Sequence, residues 1–180
     1  SLRAMPPAPG DRATLIAGPA FDGSVWEVWW FLGAGAAIHI PEEEVRLSPP
    51  RLVDWMRRER ITLTFLPTPL AEALLAEPQA AELPLRFLVT GGDRLHRISR
   101  GDLPFPVVNC YGPSEAAVVT SWNPDAAGEP EDRDPSVGRP VDHAQVWLLD
   151  SALRLVPAGV PGELWVGGET LARGYLGRPD

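Results

Sequence analysis

Thr62-Leu63-Thr64-Phe65-Leu66, followed at once by Leu70, Ala73 and Leu74, is the stretch whose reading decides the fold. The first part alternates with β-branched residues as a strand does, and the second repeats an apolar face at helical spacing. The same pairing recurs outward. Upstream, Ser48 with Pro49 marks a helix start, since serine can cap and proline tolerates the first helical position. Leu52, Trp55 and Met56 give that helix its apolar stripe. Farther upstream, Ala13 to Ala17 and Ala36 to Ile40 read as short strands around an aromatic-rich helix over Ser24 to Phe31. Downstream, Arg86 to Thr90 and Val107 to Tyr111 are two more short strands. This βαβα rhythm predicts an α/β fold with a mostly parallel sheet and flanking helices.

After Trp122 the texture changes. Asn123 to Pro135 is acidic and contains prolines, and Gln145 to Leu149 and Glu163 to Val166 read as strands joined by the turn-rich Pro157 to Gly162. The expected organisation is an α/β subdomain over 1–122, a loop over 123–136 and a β-rich subdomain over 137–180.

Composition narrows the classes of function. At 44% hydrophobic residues the 180-residue chain can build a packed core, and 21 prolines with 17 glycines fall between apolar runs, where turns belong. A net charge of −8 with no basic block argues against nucleic acid as partner, and Glu42 to Glu44 reads as a solvated loop. Cys110 is the only cysteine, so no internal disulfide can form. No apolar run reaches the length of a membrane span, and the proline-rich Ser1 to Gly10 lacks the shape of a signal peptide. A cytoplasmic location is expected. All sixteen basic residues are arginine. Any step that needs a lysine ammonium must import it from outside these residues.

Three segments fall at predicted strand ends, where ligands of open parallel sheets bind. In Phe21-Asp22-Gly23-Ser24-Val25-Trp26-Glu27, Ser24 and Glu27 have the spacing of a capping box, which explains both without a ligand. Asp22 is not needed for the cap, so its carboxylate is open to a cation. In Thr90-Gly91-Gly92-Asp93 the paired glycines allow close approach to a flat ligand, or make a plain turn. In Asn109-Cys110-Tyr111-Gly112-Pro113-Ser114-Glu115 a strand delivers a ring, a turn, a hydroxyl and a carboxylate within five residues. Such a set can stack on a base, bond a phosphate and hold Mg²⁺.

Together and in this order, these segments resemble the adenylation domains of nonribosomal peptide synthetases, within the adenylate-forming superfamily. FDGSVWE resembles the segment with the substrate-ammonium aspartate, LRFLVTGGDRL the adenine-side loop, and NCYGPSEAAVV the nucleotide and metal motif. GELWVGGETLARGYLGRPD resembles the signature that opens the family's β-barrel subdomain, after a flavodoxin-like subdomain. The resemblance implies that Asp22 pairs with the α-ammonium of an amino acid, and that Gly91, Gly92, Asp93, Asn109 and Tyr111 border adenine. It sets Gly112 and Ser114 near the phosphates, Ser114 standing where many relatives have threonine, and makes Glu115 the Mg²⁺ ligand. The side-chain pocket would be lined by Gly23, Trp26, Pro69 or a neighbour, Val89, Gly91, Cys110, Val118 and Val119. Apart from Asp22 that lining is uncharged, so a neutral, largely apolar substrate side chain is expected, with small Gly23 leaving room for bulk.

The implied reaction is attack of the amino-acid carboxylate on the α-phosphate of ATP, followed by transfer to the phosphopantetheine thiol of a carrier-protein domain. Condensation domains would complete the machinery. Positioning and charge neutralisation carry such a step without a protein nucleophile. His39, His96 and His143 lack metal-ligand spacing, and Cys110 reads as a pocket wall. The family's phosphate loop with its lysine, its ribose-binding aspartate segment and its mobile C-terminal subdomain are not found, so the isolated 180 residues are expected to have little or no adenylating activity. The rivals are an acyl- or aryl-CoA ligase, to which Asp22 would be useless, and a noncatalytic nucleotide-binding module.

Overall fold

The computed structural model describes residues 6–96, 103–122 and 134–178. Most of the expected acidic loop after Trp122, and the first five residues, lie outside them. Among the described residues nine strands are seen: β1 (Arg12–Thr14), β2 (Ala37–His39), β3 (Leu63–Pro67), β4 (Phe87–Gly91), β5 (Val107–Tyr111), β6 (Thr120–Trp122), β7 (Arg139–Pro140), β8 (Ala144–Leu149) and β9 (Glu163–Gly168). The helices are α1 (Asp22–Gly33), α2 (Glu43–Arg46), α3 (Pro49–Arg58) and α4 (Thr68–Leu75), with a 3₁₀ turn over Pro78–Glu82. Seven strands form one sheet in the order β2-β1-β3-β4-β5-β6-β7, while β8 and β9 pair separately. The first five run parallel; β6 and β7 add antiparallel at the edge. The mostly parallel α/β sheet expected from the sequence is therefore present.

The period-2 alternation of the central strands splits the core in two. Leu63, Phe65, Phe87, Val89, Val108 and Cys110 face one side and pack with Phe31 of α1. Leu66, Leu88 and Val107 face the other and pack with Leu52, Val53 and Met56 of α3 and with Ala71 and Leu74 of α4. Helices thus cover both faces, which a sheet of near-continuous apolar strands requires. Asp11 fastens the amino ends of these strands. Its carboxylate accepts from Thr62 Oγ1 at 2.8 Å and from the backbone of Ala8 at 2.8 Å, and pairs with Arg86.

Several local expectations change. The acidic run is the start of the one-turn α2. Ser48 does sit at the N-cap of α3, but its side chain makes no capping bond. The Ser24–Glu27 capping box does not form: α1 begins at Asp22 behind Phe21, and Ser24 Oγ donates back to the Phe21 carbonyl at 2.8 Å. Glu27 instead reaches across to the loop after β1. There it accepts the N–H groups of Ile16 at 3.0 Å and Ala17 at 2.9 Å. These bonds also explain why β1 stops at Thr14 rather than running on to Ala17.

Candidate functional site at the carboxyl ends of the strands

Three elements converge where β3, β4 and β5 end. The start of α1 brings Phe21, Asp22, Gly23 and Trp26; the strands bring Phe65, Val89, Gly91 and Cys110; the turn after β5 brings Tyr111, Gly112, Ser114, Ala117 and Val118. They enclose a cavity of about 250 Å³. Its floor is aromatic. The Trp26 ring lies edge-on to Phe65 at 5.7 Å between centroids, and Phe21 stacks on Phe65 at 6.3 Å. Asp22, half-buried in the first turn of α1, is the one ionisable carboxylate among these lining residues. A carboxylate at the rim of an apolar hole suits a ligand with a cationic head and an uncharged body.

A second cavity, of about 520 Å³, shares Tyr111 with the first and is bordered by Gly92, Asp93, Arg94, Asn109, Asp134 and Val137 among others. Gly92, Cys110, Tyr111 and Gly112 belong to both walls. Asn109 donates through its side-chain amide to the Ser136 carbonyl at 3.2 Å, and Thr68 Oγ1 donates to the Asp93 carbonyl at 3.2 Å. Tyr111, 38% exposed, borders both spaces, and an aromatic ring can stack on a flat ligand.

Two glycines are required by close approach. A Cβ on Gly91 would lie 2.5 Å from the Cys110 carbonyl oxygen, and one on Gly112 would lie 1.9 Å from that of Ala117. The Gly112 contact lets the chain fold back so that the Val119 N–H reaches the Tyr111 carbonyl at 2.8 Å. Ser114 is thereby held exposed at the cavity mouth.

Three sequence-predicted residues, Pro69, Val119 and Glu115, do not line either cavity, and Gly23 lines the first without leaving the room expected of it. Pro69 is exposed in the first turn of α4, and the ring facing the cavity near it is Phe65, whose burial on a strand made it read as core. Val119 is fully buried behind the wall that Val118 lines. The space beside Gly23 is filled by rings: a Cβ there meets Phe21 at 2.8 Å and Phe65 at 3.0 Å. Glu115 lies just outside both cavities, exposed, with Oε1 accepting the Tyr175 hydroxyl at 2.9 Å. Its own backbone N–H, and then that hydroxyl, hold its carboxyl below the usual range, while the same bond to Glu115 raises Tyr175.

Two buried groups frame the site. Burial pushes the Cys110 thiol up to about 12, so it stays neutral and serves as wall. Burial likewise raises the Glu27 carboxyl to about 7, against the lowering effect of its two backbone donors. Sequence spacing hid Glu27, because the same Ser-x-x-Glu pattern fits a cap. Each histidine has its own acidic neighbour: His39 with Glu59, His96 with Glu72 and His143 with Glu169. Among the described residues no three His, Cys, Asp or Glu side chains gather as a metal cage, and no helix is long and apolar enough to cross a membrane.

Comparison with known proteins points to one family. The model of the AMP-binding enzyme family matches residues 2–176. Linear gramicidin synthase subunits C and B of Brevibacillus parabrevis are 52% and 53% identical over 94% of the chain, and surfactin synthase subunit 1 of Bacillus subtilis is 41% identical. The chain spans only 2%, 3% and 4% of those three proteins. The AMPPNP-bound form of the nonribosomal peptide synthetase FmoA3 superposes with a TM-score of 0.88 at 28% identity, over 99% of this chain and 20% of that one. A four-domain nonribosomal peptide synthetase bound to AMP and glycine superposes at 0.84 with 28% identity, over 98% of this chain and 13% of its own. On the strength of a family match along nearly its whole length, this chain belongs to the AMP-binding enzymes.

Proposed function

We propose that the chain is the substrate- and nucleotide-binding part of an adenylation domain in a nonribosomal peptide synthetase. It selects an amino acid and joins it to AMP. One observation carries the proposal: the Asp22 cavity and the Asp93–Asn109 cavity meet at Tyr111. That arrangement suits a ligand with an ammonium-bearing apolar part and a purine part joined at one point. The amino acid occupies the first cavity with its ammonium against Asp22 and a neutral, apolar side chain toward Trp26 and Phe65. The adenine lies in the second, against Tyr111 and beside Gly92, Asp93 and Asn109. The reacting carboxylate and α-phosphate then meet at the mouth, near Gly112 and the Ser114 hydroxyl.

The chemistry is an in-line displacement. A carboxylate oxygen bonds to the α-phosphorus as the bond to the pyrophosphate oxygen breaks. The protein supplies orientation and donors rather than a nucleophile, consistent with a Cys110 thiol that stays neutral. Mg²⁺ fits the donor set, because that ion takes one or two carboxylates plus substrate phosphates, and Glu115 is a single exposed carboxylate beside Ser114. When bound, it neutralises phosphate charge. The aminoacyl group is then passed to the phosphopantetheine thiol of a carrier domain, a thioester bond forming as the acyl–phosphate bond breaks and AMP leaves, and a condensation domain extends the peptide. A cytoplasmic enzyme with an α/β part over 1–122 and a β-rich part from 137 completes the reading.

Amino-acid-dependent exchange of pyrophosphate into ATP, measured on a full-length synthetase carrying this chain, tests it. Exchange is expected with apolar amino acids and not with carboxylic acids that lack an α-amine. Exchange driven equally well by the des-amino acids would favour an acyl-CoA-ligase type of site and overturn the assignment of Asp22.

A further inference from the structure

We propose that Tyr175 is a positioning residue for Glu115, holding its carboxylate in one orientation ready for the nucleotide-bound cation. The inference rests on the metal role given to Glu115 above and concerns a residue to which that reading assigns no part.

Both the side chain and the main chain of Glu115 are held by one short segment sixty residues later. Tyr175 Oη donates to Glu115 Oε1 at 2.9 Å, and the Ala172 N–H donates to the Glu115 carbonyl at 2.6 Å. The segment is itself braced. Tyr175 opens a tight turn in which it pairs with Arg178, whose N–H reaches the Tyr175 carbonyl at 3.1 Å. It leaves the end of β9 through a bond from the Leu171 N–H to the Gly168 carbonyl at 3.4 Å. A phenol presented from such a turn is a fixed point in an otherwise exposed place.

Glu115 needs a fixed point. It is exposed at the tip of the turn after β5, where an unrestrained glutamate samples many rotamers and loses that freedom on binding a cation. A carboxylate has about four acceptor positions on two oxygens, so a phenol on Oε1 leaves room for a metal ion. Hydrogen bonds of this kind orient ligating carboxylates, and their loss typically weakens metal binding by about 10- to 100-fold. Tyr175 therefore acts through Glu115 and touches neither substrate nor cation. It also joins the β8–β9 part of the chain to the nucleotide turn.

The test measures Mn²⁺, as a stand-in for Mg²⁺, binding to the full-length synthetase with a nonhydrolysable ATP analogue, by the loss of the free-ion electron paramagnetic resonance signal. Tyr175→Phe and Tyr175→Ala are each expected to weaken Mn²⁺ binding about tenfold, with amino-acid affinity unchanged. Equal effects of the two variants locate the action in the hydroxyl. Unchanged binding in Tyr175→Phe, or a loss confined to Tyr175→Ala, overturns the inference. Tighter binding in Tyr175→Phe does so too, since the phenol would then be competing with the ion. Glu115→Gln separates the two levels: if it leaves Mn²⁺ binding intact, the metal role of Glu115 fails; if it weakens binding while Tyr175→Phe does not, only the role of Tyr175 fails.

Discussion

Glu27 Oε1 accepts the backbone N–H of Ile16 at 3.0 Å in the protein interior, with no exposed surface on the glutamate. One turn along α1 from Gly23 and adjacent to Trp26, it fixes the cavity-lining face of the helix to the loop after β1. Its carboxyl is raised from 4.5 to about 7 by burial. A raised folded-state value means that protonation favours the fold. This contribution is fully present below about pH 4.5 and is lost as pH rises through 7, a change on the order of 3 kcal/mol. Thermal unfolding of the adenylation domain should show a downward slope of stability across that window, flattened in Glu27→Gln. Glu27→Ala, which strips two buried N–H groups of their acceptor, should cost roughly 2 kcal/mol or more at any pH.

Gly112→Ala should be the most damaging small change in the turn after β5. Its methyl would fall 1.9 Å from a backbone oxygen, which no rotamer can relieve. A loss of about 1–3 kcal/mol is expected from such overpacking. Fluorescence titration with an ATP analogue should also show affinity falling further than in Ser114→Ala, which removes only a hydroxyl.

Phe65→Leu should alter selectivity rather than nucleotide binding. The ring forms the cavity floor between Phe21 and Trp26, so a smaller residue deepens the hole. Pyrophosphate exchange with a series of apolar amino acids should shift relative kcat/KM toward larger side chains by about tenfold, since a methylene in such a pocket is worth roughly 1–3 kcal/mol. The KM for ATP should stay constant.

The Cys110 thiol should resist alkylation in the native protein. With its ionisation raised to about 12 by burial, hardly any thiolate exists near pH 8. Iodoacetamide labelling followed by mass spectrometry should be slow until denaturant is added, then fast.

What was legible in the sequence was whatever depends on local pattern. The strands of the parallel sheet could be read because Leu63 to Leu66 or Val107 to Tyr111 carry their period within five residues. That Asp22, Tyr111 and Ser114 come to one cavity could be read because the segments holding them fall at the ends of strands the pattern already marks. Contacts between distant segments could not. Glu27 braces a loop ten and eleven residues earlier, at a spacing indistinguishable from a cap. Phe65 looks like any core residue until α1 is laid over its face of the sheet. The Tyr175–Glu115 bond spans sixty residues and has no signature in either segment. The antiparallel strands β6 and β7 are too short, at three and two residues, to show a period.

A crystal structure of the full adenylation domain with a nonhydrolysable aminoacyl-adenylate analogue would examine the shared cleft directly. The ammonium of the analogue should lie within hydrogen-bond distance of the Asp22 carboxylate, with the purine against the Tyr111 ring. An analogue bound with its ammonium away from Asp22, or its purine on the other side of the sheet, would contradict it.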